Sequence, residues 1–199
     1  MSKIDLFKEH KAEYSAKAEP HRLVVGPARY LSIEGRGAPG GTAFEEGVGA
    51  LYGMAYTLKF QAKAEGADFA VCKLEATYDH LADEEVFERD PDSVSWRLLI
   101  RVPDFVTPAH LKGARRALAD KKKEGAFDRV RLEAVEEGAC VQVLHVGPYS
   151  EERATLERMR GFLKEQGLAP RLWHHEVYLN DPRRMPPERL KTILRQPVE

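Results

Sequence analysis

The sequence predicts an α+β fold made of duplicated strand-helix-strand-strand modules, with antiparallel sheets around a central cleft. The order strand, helix, strand, strand begins at Leu23 and begins again at Ala139. Residue patterns repeat with these elements, pairing Gly35 with Gly147, Glu75 with Glu176, and 99–103 with 193–197. We interpret the matches as an internal duplication. Because related halves commonly enclose a groove, the cleft is where we expect a ligand.

The composition is that of a globular protein with balanced charge. Hydrophobic residues make up 43% and charged residues 32% of the 199 residues, which excludes a disordered chain. The 31 basic and 32 acidic residues give a net charge of -1, which argues against general nucleic-acid binding. We assign residues 1–20 to an N-terminal helical extension and 21–199 to one domain, with half-repeats at about 21–105 and 130–199. The extension is too short for a DNA-binding domain, so we expect no nucleic-acid partner.

Cysteine usage and hydropathy indicate a cytoplasmic protein. Cys72 and Cys140 each lie within an apolar run and form no C-x-x-C pair, as expected of buried, reduced thiols. No apolar stretch approaches the ~18–20 residues that span a bilayer. The charged N-terminus also lacks the apolar core of a signal peptide. We therefore expect no membrane partner, and the sequence leaves the oligomeric state open.

The first half carries one long helix between predicted strands. The strands are 23–25, 30–33, 69–78 and 94–102. A glycine-rich loop at 35–41 precedes a helix predicted over 42–65, whose apolar residues recur at steps of three and four. The last two strands are joined by a connection that holds the acidic stretches 83–85 and 90–92.

The second half follows a bridging helix. The predicted elements are helices over 107–123 and 150–167 and strands at 130–134, 139–146 and 172–179. Residues 190–195 are predicted to form a final strand or a short turn. Thr107 as N-cap and Pro108 at the first helical position mark the start of the bridging helix. Ser150 is expected to cap the next helix, with the two glutamates that follow favourably placed at its positive end. Residues 136–138 predict a hairpin turn between the first two strands.

Glu176 is the leading candidate for chemistry. Strand alternation places it on the same face as Tyr178, within the aromatic segment 173–178. Burial of such a carboxylate raises its pKa, which suits a general base or the anchor of a cation. The alternative is an edge-strand glutamate that faces water. Its counterpart Glu75 lies on the opposite face from Tyr78 if the strand is regular, whereas a bulge would bring the two together. A purely structural role is the alternative for Glu75.

Three further aromatic residues are candidates for lining a pocket. Tyr149 follows a Gly-Pro turn between a strand and a helix, where it either donates a hydrogen bond at the mouth of the cleft or caps the helix. Trp96 is either a core residue or a pocket residue. Trp173 projects away from Glu176 by strand alternation and lies in the core or at the pocket edge.

Metal and cofactor chemistry is not expected. His174 and His175 are adjacent in a strand, so their side chains point to opposite faces and make a poor ligand pair. The loop at 35–41 lacks the order of a phosphate-binding loop, and Pro39 removes one amide donor. We therefore predict no metal and no cofactor.

Four segments, 51–60, 96–105, 137–149 and 174–184, resemble the GyrI-like small-molecule-binding family. The resemblance covers nearly the whole chain and implies a duplicated strand-helix-strand-strand fold around a central groove. It also implies a small-molecule ligand, amphipathic or cationic, that a central glutamate anchors. By motif, Glu176 matches that glutamate.

The resemblance further implies an activity. Stand-alone members are linked to hydrolysis of strained cyclopropane-bearing toxins, in which a glutamate activates water while tyrosine and tryptophan line the pocket. Glu176, Tyr149 and Trp96 match these residues by motif, and Glu75 and Tyr78 match more loosely. After the glutamate that Glu75 matches, the family often has a glycine and a tryptophan pair. The present chain has Ala-Thr-Tyr-Asp at 76–79 instead, which changes the pocket wall.

Three hypotheses follow from different functional classes. The first is a binding module for hydrophobic or cationic compounds that serves xenobiotic protection, and it predicts binding without turnover. The second is a hydrolase in which Glu176 acts as general base and Tyr149 assists as acid or hydrogen-bond donor. The third and weaker one is direct inhibition of another protein. Whether the protein is an enzyme is left open between the first two.

Overall fold

The computed structural model of the protein describes residues 3–79, 90–171 and 173–199 and has the predicted α+β class. The acidic stretch 83–85 and Leu172, which was placed at the start of a strand, lie outside these residues. Within the described part, four α-helices and eight strands follow one another, and the strand ladders are antiparallel. No helix in that part is long and apolar enough to cross a bilayer.

The element order repeats along the chain. The helices are α1 (Leu6–Glu9), α2 (Thr42–Ala64), α3 (Pro108–Asp120) and α4 (Glu152–Glu165). The strands are β1 (His21–Val25), β2 (Ala28–Arg36), β3 (Leu74–Tyr78), β4 (Ser95–Val102), β5 (Arg131–Val135), β6 (Gly138–Val146), β7 (His174–Tyr178) and β8 (Lys191–Pro197). Two strands, a helix and two strands occur on either side of α3, which confirms the predicted duplication.

The chain divides into two compact units. The first contains α1, α2, α3, β2, β4 and β5, with the strand order β4-β2-β5. The second contains α4, β1, β6, β7, β8 and all of β3 except its first residue, with the order β1-β6-β8-β7-β3. The N-terminal segment is shared between them, since α1 belongs to the first unit and residues 10–27 belong to the second.

The hairpin expected at 136–138 does not form. β5 pairs with β2, where Leu31 lies opposite Leu132, and β6 pairs with β1 and β8. The short connection between β5 and β6 therefore joins strands of different units. Local turn residues suit a hairpin, but the pairing partner of each strand is set by packing against residues far away in sequence.

Two predicted boundaries also change. The strand expected over 69–78 is limited to β3, because Phe69 is buried by packing and forms only an isolated bridge with Ile4. Ser150 does not cap α4, since a short helical turn at Tyr149–Glu151 precedes it and Glu151 is the N-cap. Thr107 does cap α3, with its side chain accepting the backbone N–H of His110.

Strand positions revise the residue matches between the halves. β2 and β6 both have nine residues, and each is followed by a glycine with positive φ, Gly37 at +120° and Gly147 at +142°. The counterpart of Gly147 is therefore Gly37 and not Gly35. In the same way β3 and β7 have five residues each, so Glu176 corresponds to Ala76, and Glu75 corresponds to His175.

Trp96 lies in the core of the first unit. It is 1% exposed, and its ring packs edge-on against Phe44 with centroids 5.3 Å apart. Gly35 and Gly47 lie against the same indole, and a Cβ on Gly35 would stand 2.1 Å from its nearest ring atom. A glycine at position 35 is therefore required by the close approach of a rigid side chain.

We predict that Gly35→Ala destabilises the protein by about 1–3 kcal/mol, because the added methyl group overpacks the buried indole of Trp96. Chemical unfolding of the two proteins measures the difference. Gly49→Ala in α2 is the matched control, since its Cβ would meet nothing within 4 Å. The control should be neutral or stabilised by up to about 1 kcal/mol, and equal stability of Gly35→Ala and wild type would contradict the prediction.

Candidate functional site

Strand β7 organises the candidate site in the second unit. It pairs with β3 on one side and β8 on the other, so it is an interior strand. Alternation puts His174, Glu176 and Tyr178 on one face and His175 and Val177 on the other. Glu176 is only 6% exposed. The structure therefore excludes the edge-strand interpretation of Glu176 and places it on the face of Tyr178, as predicted.

Three tyrosines surround Glu176, and we call the four residues the tyrosine cluster. The Tyr178 hydroxyl donates to Glu176 Oε2 at 2.8 Å, and the hydroxyls of Tyr78 and Tyr178 are 2.7 Å apart. Because the single proton of Tyr178 is directed to Glu176, Tyr78 donates to Tyr178. The ring of Tyr149 packs edge-on against that of Tyr178 with centroids 5.8 Å apart. Such a chain of donors polarises each bond in turn and ends on the carboxylate.

A second carboxyl group, that of Glu152, lies beside the cluster. Glu152 is the first residue of α4 and is 7% exposed. Its Oε1 has no hydrogen-bond partner among the described residues. Burial, together with the charge of Glu176, raises the pKa of Glu152 to about 10. The pair of carboxyl groups therefore retains a proton at neutral pH, and the larger rise in pKa is that of Glu152.

The pKa of Glu176 is raised as well. Burial raises its pKa to about 7, although the hydrogen bond from Tyr178 and the charge of His175 oppose the rise. His174 Nε2 lies 3.8 Å from Glu176 Oε1, but burial and the charge of His175 lower the pKa of His174 to about 3. His174 is therefore neutral, and its contact with Glu176 is not an ion pair.

The opposite face of β7 carries a buried ion network. His175 Nε2 lies 3.0 Å from Glu75 Oε2, and its Nδ1 lies 2.8 Å from Glu137 Oε1. Arg195 Nη1 contacts the second oxygen of Glu137 at 2.8 Å. Burial alone would lower the pKa of His175, but the charges of Glu137 and Glu75 outweigh it and raise the value to about 9. His175 is therefore an imidazolium between two carboxylates.

Residues 10–17 cover this network. The Tyr14 hydroxyl donates to Glu75 Oε1 at 2.7 Å, and Arg195 Nη2 donates to the Glu13 carbonyl at 2.5 Å. Gln142 Nε2 donates to the Ser15 carbonyl at 2.9 Å. The N-terminal segment is thus fixed by the charges behind β7.

The structure brings some of the predicted site residues together and separates others. Glu176, Tyr149, Tyr78 and Tyr178 form the tyrosine cluster. Glu75 is engaged in the ion network on the opposite face of β7. Trp96 belongs to the core of the first unit, and Trp173 is 37% exposed just ahead of β7. Within the described residues, no three metal-ligating side chains are arranged to hold a metal.

Sequence reasoning missed Glu152 because a glutamate at a helix start is fully explained by the helix dipole. A second signal was available. Glu152 precedes Leu156, Met159 and Leu163 by four, seven and eleven residues, which is the spacing of the buried stripe of α4. A carboxylate on such a stripe is buried against the sheet, whereas its neighbour Glu151 is exposed.

Comparisons with known proteins agree with this fold. A model of the GyrI-like small molecule binding domain matches residues 20–199. Three solved structures from Listeria innocua are similar over the full chain. A conserved protein is 39% identical with a TM-score of 0.91, and the match covers 99% of this chain and 100% of that one. Two hydrolases are each 38% identical: one has a TM-score of 0.90 and is matched over 100% of both chains, and the other has a TM-score of 0.88 and is matched over 99% of this chain and 100% of its own. The comparison with curated proteins gives no match.

We predict that the Glu152→Gln variant loses less folding stability than wild type as the pH rises. The pKa of this carboxyl group rises from 4.5 in the unfolded chain to about 10 in the folded protein, so it stabilises the fold fully below pH 4.5. That stabilisation is lost progressively as the pH rises to about 10. Between about pH 5 and pH 9, chemical unfolding should show wild type losing at least ~1 kcal/mol more than the variant.

Glu151→Gln is the control for that experiment, because the neighbouring side chain is exposed. It should reproduce the pH profile of wild type. Both proteins share the alkaline contribution of His175, whose raised pKa removes stability as pH rises from 6.5 to about 9. Parallel profiles for Glu152→Gln and wild type would show that Glu152 is ionised in the folded protein.

Proposed function

The chain belongs to the GyrI-like small molecule binding family, and on that premise we propose that it binds hydrophobic cations at the tyrosine cluster as protection against xenobiotic compounds. The observation that carries the proposal is the carboxylate of Glu176, held by Tyr178 within buried aromatic surroundings. A carboxylate attracts a cation, and tyrosine ring faces add cation–π attraction of about 0.5–2 kcal/mol each. Tyr149 is 40% exposed and supplies a face that an approaching ligand can reach.

The charge of the site favours ligands with one positive charge. Glu176 ionises near neutrality, and a bound cation stabilises its ionised form further. Burial disfavours ionisation of Glu152, and the charge of Glu176 beside it adds to the rise in its pKa. The cluster thus offers one negative charge within an apolar surface, which matches a lipophilic monocation.

We predict that wild type binds tetraphenylphosphonium and that Glu176→Gln weakens this binding at least about tenfold, or ~1.4 kcal/mol. Only ionised Glu176 attracts the cation, so the affinity of wild type should rise up to about tenfold between pH 6 and pH 8, around its pKa of about 7. The variant should show no such rise. Isothermal titration calorimetry measures both affinities.

Two controls separate charge from general hydrophobic binding. Triphenylphosphine oxide is a neutral aromatic analogue, and its affinity should be the same in wild type and Glu176→Gln. The variant Glu151→Gln removes a neighbouring exposed charge and should bind the cation as wild type does. Equal binding of the cation by wild type and Glu176→Gln would refute the anchoring role.

A second candidate function is hydrolysis of strained, cyclopropane-bearing electrophiles. Two Listeria innocua structures at 38% identity are described as hydrolases, and the cluster combines a base with neutral proton donors. Glu176 would take a proton from water as the water oxygen attacks the ring CH2 group. The ring C–C bond breaks, and its electron pair moves onto a conjugated carbonyl. Tyr149, whose pKa burial raises to about 12, stays protonated and can donate a hydrogen bond to that carbonyl.

We predict that wild type hydrolyses a cyclohexadienone with a cyclopropane spiro-fused opposite its carbonyl, giving tyrosol. Glu176→Gln should lower kcat by about a hundredfold or more, since general-base catalysis contributes about 10²–10⁴-fold. The KM for this neutral substrate should change little. Loss of the dienone absorbance follows the reaction, and Glu151→Gln serves as control. Tyrosol formation at the uncatalysed rate in the presence of wild type would leave binding as the sole function.

A further inference from the structure

We propose that Glu152 is the proton donor of this reaction, protonating the carbonyl oxygen on which charge collects as the strained ring opens. The inference rests on the proposed hydrolytic function and assigns its acid. Glu176 is then the base and Glu152 the acid of one carboxyl pair. Tyr149 becomes a wall of the site that contributes a hydrogen bond and not the transferred proton.

The position of Glu152 carries the argument. It is 7% exposed, and its Oε1 lacks a hydrogen-bond partner among the described residues. A buried polar atom without a protein partner is unfavourable, and an atom of a bound molecule can supply the missing partner. The register of β8 places Thr192 opposite Tyr178. The Thr192 hydroxyl is buried without a hydrogen-bond partner among the described residues, and it lowers the pKa of the Glu152 carboxyl group. Glu152 therefore lies next to the residue that holds Glu176.

Tyr149 is less suited to deliver the proton. Its side chain is 40% exposed, so water competes for the hydroxyl. A phenol whose pKa is raised to about 12 also gives up its proton less readily than the buried carboxylic acid. Proton transfer is most effective from a group whose pKa lies nearer the working pH.

The proton balance of the step favours a carboxyl pair that carries one proton. Before reaction Glu176 is ionised and Glu152 is protonated. Water oxygen bonds to the ring CH2 group and its proton passes to Glu176. The ring C–C electron pair moves to the carbonyl oxygen, which takes the proton of Glu152. The pair holds one negative charge before and after, so no additional charge is buried. Glu176 then releases its proton to solvent and Glu152 takes one up, which restores the starting state.

The two roles orient the substrate of the proposed hydrolysis. It is a neutral electrophile in which a strained carbon is conjugated to a carbonyl oxygen, so that opening the ring creates a phenolate or enolate. The strained carbon lies toward Glu176, and the carbonyl lies toward Glu152. An electrophile without a conjugated acceptor would leave Glu152 with nothing to protonate.

Two substrates of different acidity test the proposal. The first is the spiro-cyclopropyl cyclohexadienone, and the second carries two chlorine atoms beside its carbonyl, which make the product phenol more acidic. We expect Glu152→Gln to lower kcat on the first at least about a hundredfold with KM within about threefold. The deficit should fall to less than about tenfold on the dichloro compound, because its phenolate departs without a proton. A merely structural role would lower both rates equally.

Variants and binding distinguish the remaining outcomes. Tyr149→Phe should lower kcat on the first substrate less than about tenfold, since it removes one hydrogen bond, and Glu151→Gln should match wild type. Equal deficits of Glu152→Gln on both substrates, or no deficit, would overturn the proposal while wild-type turnover left the hydrolytic function standing. Absence of turnover by wild type would overturn both, and tetraphenylphosphonium binding then decides whether the cation-binding function stands.

Discussion

The contacts of His175 with two buried carboxylates are the constraint on which the site depends. An imidazolium inside the second unit persists only because Glu75 and Glu137 flank it, and Arg195 balances the second carboxylate. Loss of one partner would leave an uncompensated buried charge, at a cost of about 3–5 kcal/mol. β7 is therefore held from one face in a single register. Since a shift of one residue would exchange its faces, this register is what directs Glu176 toward the tyrosines.

The two faces of β7 differ in how their buried charges are balanced. Each face carries polar atoms that make no hydrogen bond within the described residues, but the rear pair, Glu75 Oε2 and His175 Nε2, are opposite charges 3.0 Å apart. Behind the strand, Glu75 has both carboxylate oxygens within contact of Tyr14 or His175, and residues 10–17 close the surface. On the front, Oε1 of Glu152 and Nε2 of His174 are buried without hydrogen bonds among the described residues. A buried polar atom of this kind calls for a partner such as water, an ion or a ligand. The charge of His175, on the opposite face, also limits the rise in the pKa of Glu176, so the ion network influences the tyrosine cluster.

Sequence reasoning reached the elements and part of the site. Alternation was enough to place Glu176 beside Tyr178, and the Thr-Pro start of α3 was enough to place its cap. The sequence could not predict which strands pair. The turn residues at 136–138 are compatible with a hairpin, whereas β5 pairs with β2 in the first unit and β6 pairs with β1 in the second. The tendency of a strand to form is local, but its choice of partner is decided by distant packing. Similarly, the buried ion network joins residues up to 182 positions apart, which no local pattern encodes.

The start of α4 shows why a rule that explains a residue can hide its role. A glutamate there complements the helix dipole, yet Glu151 meets that need while exposed to solvent. Glu152 instead occupies the buried stripe of Leu156 and Met159, where a leucine would pack without a desolvation penalty. The chain thus accepts an unfavourable carboxyl group next to a second one. A buried pair sharing one proton can exchange the roles of acid and base without changing its net charge, which is the property that proton transfer in an apolar site requires.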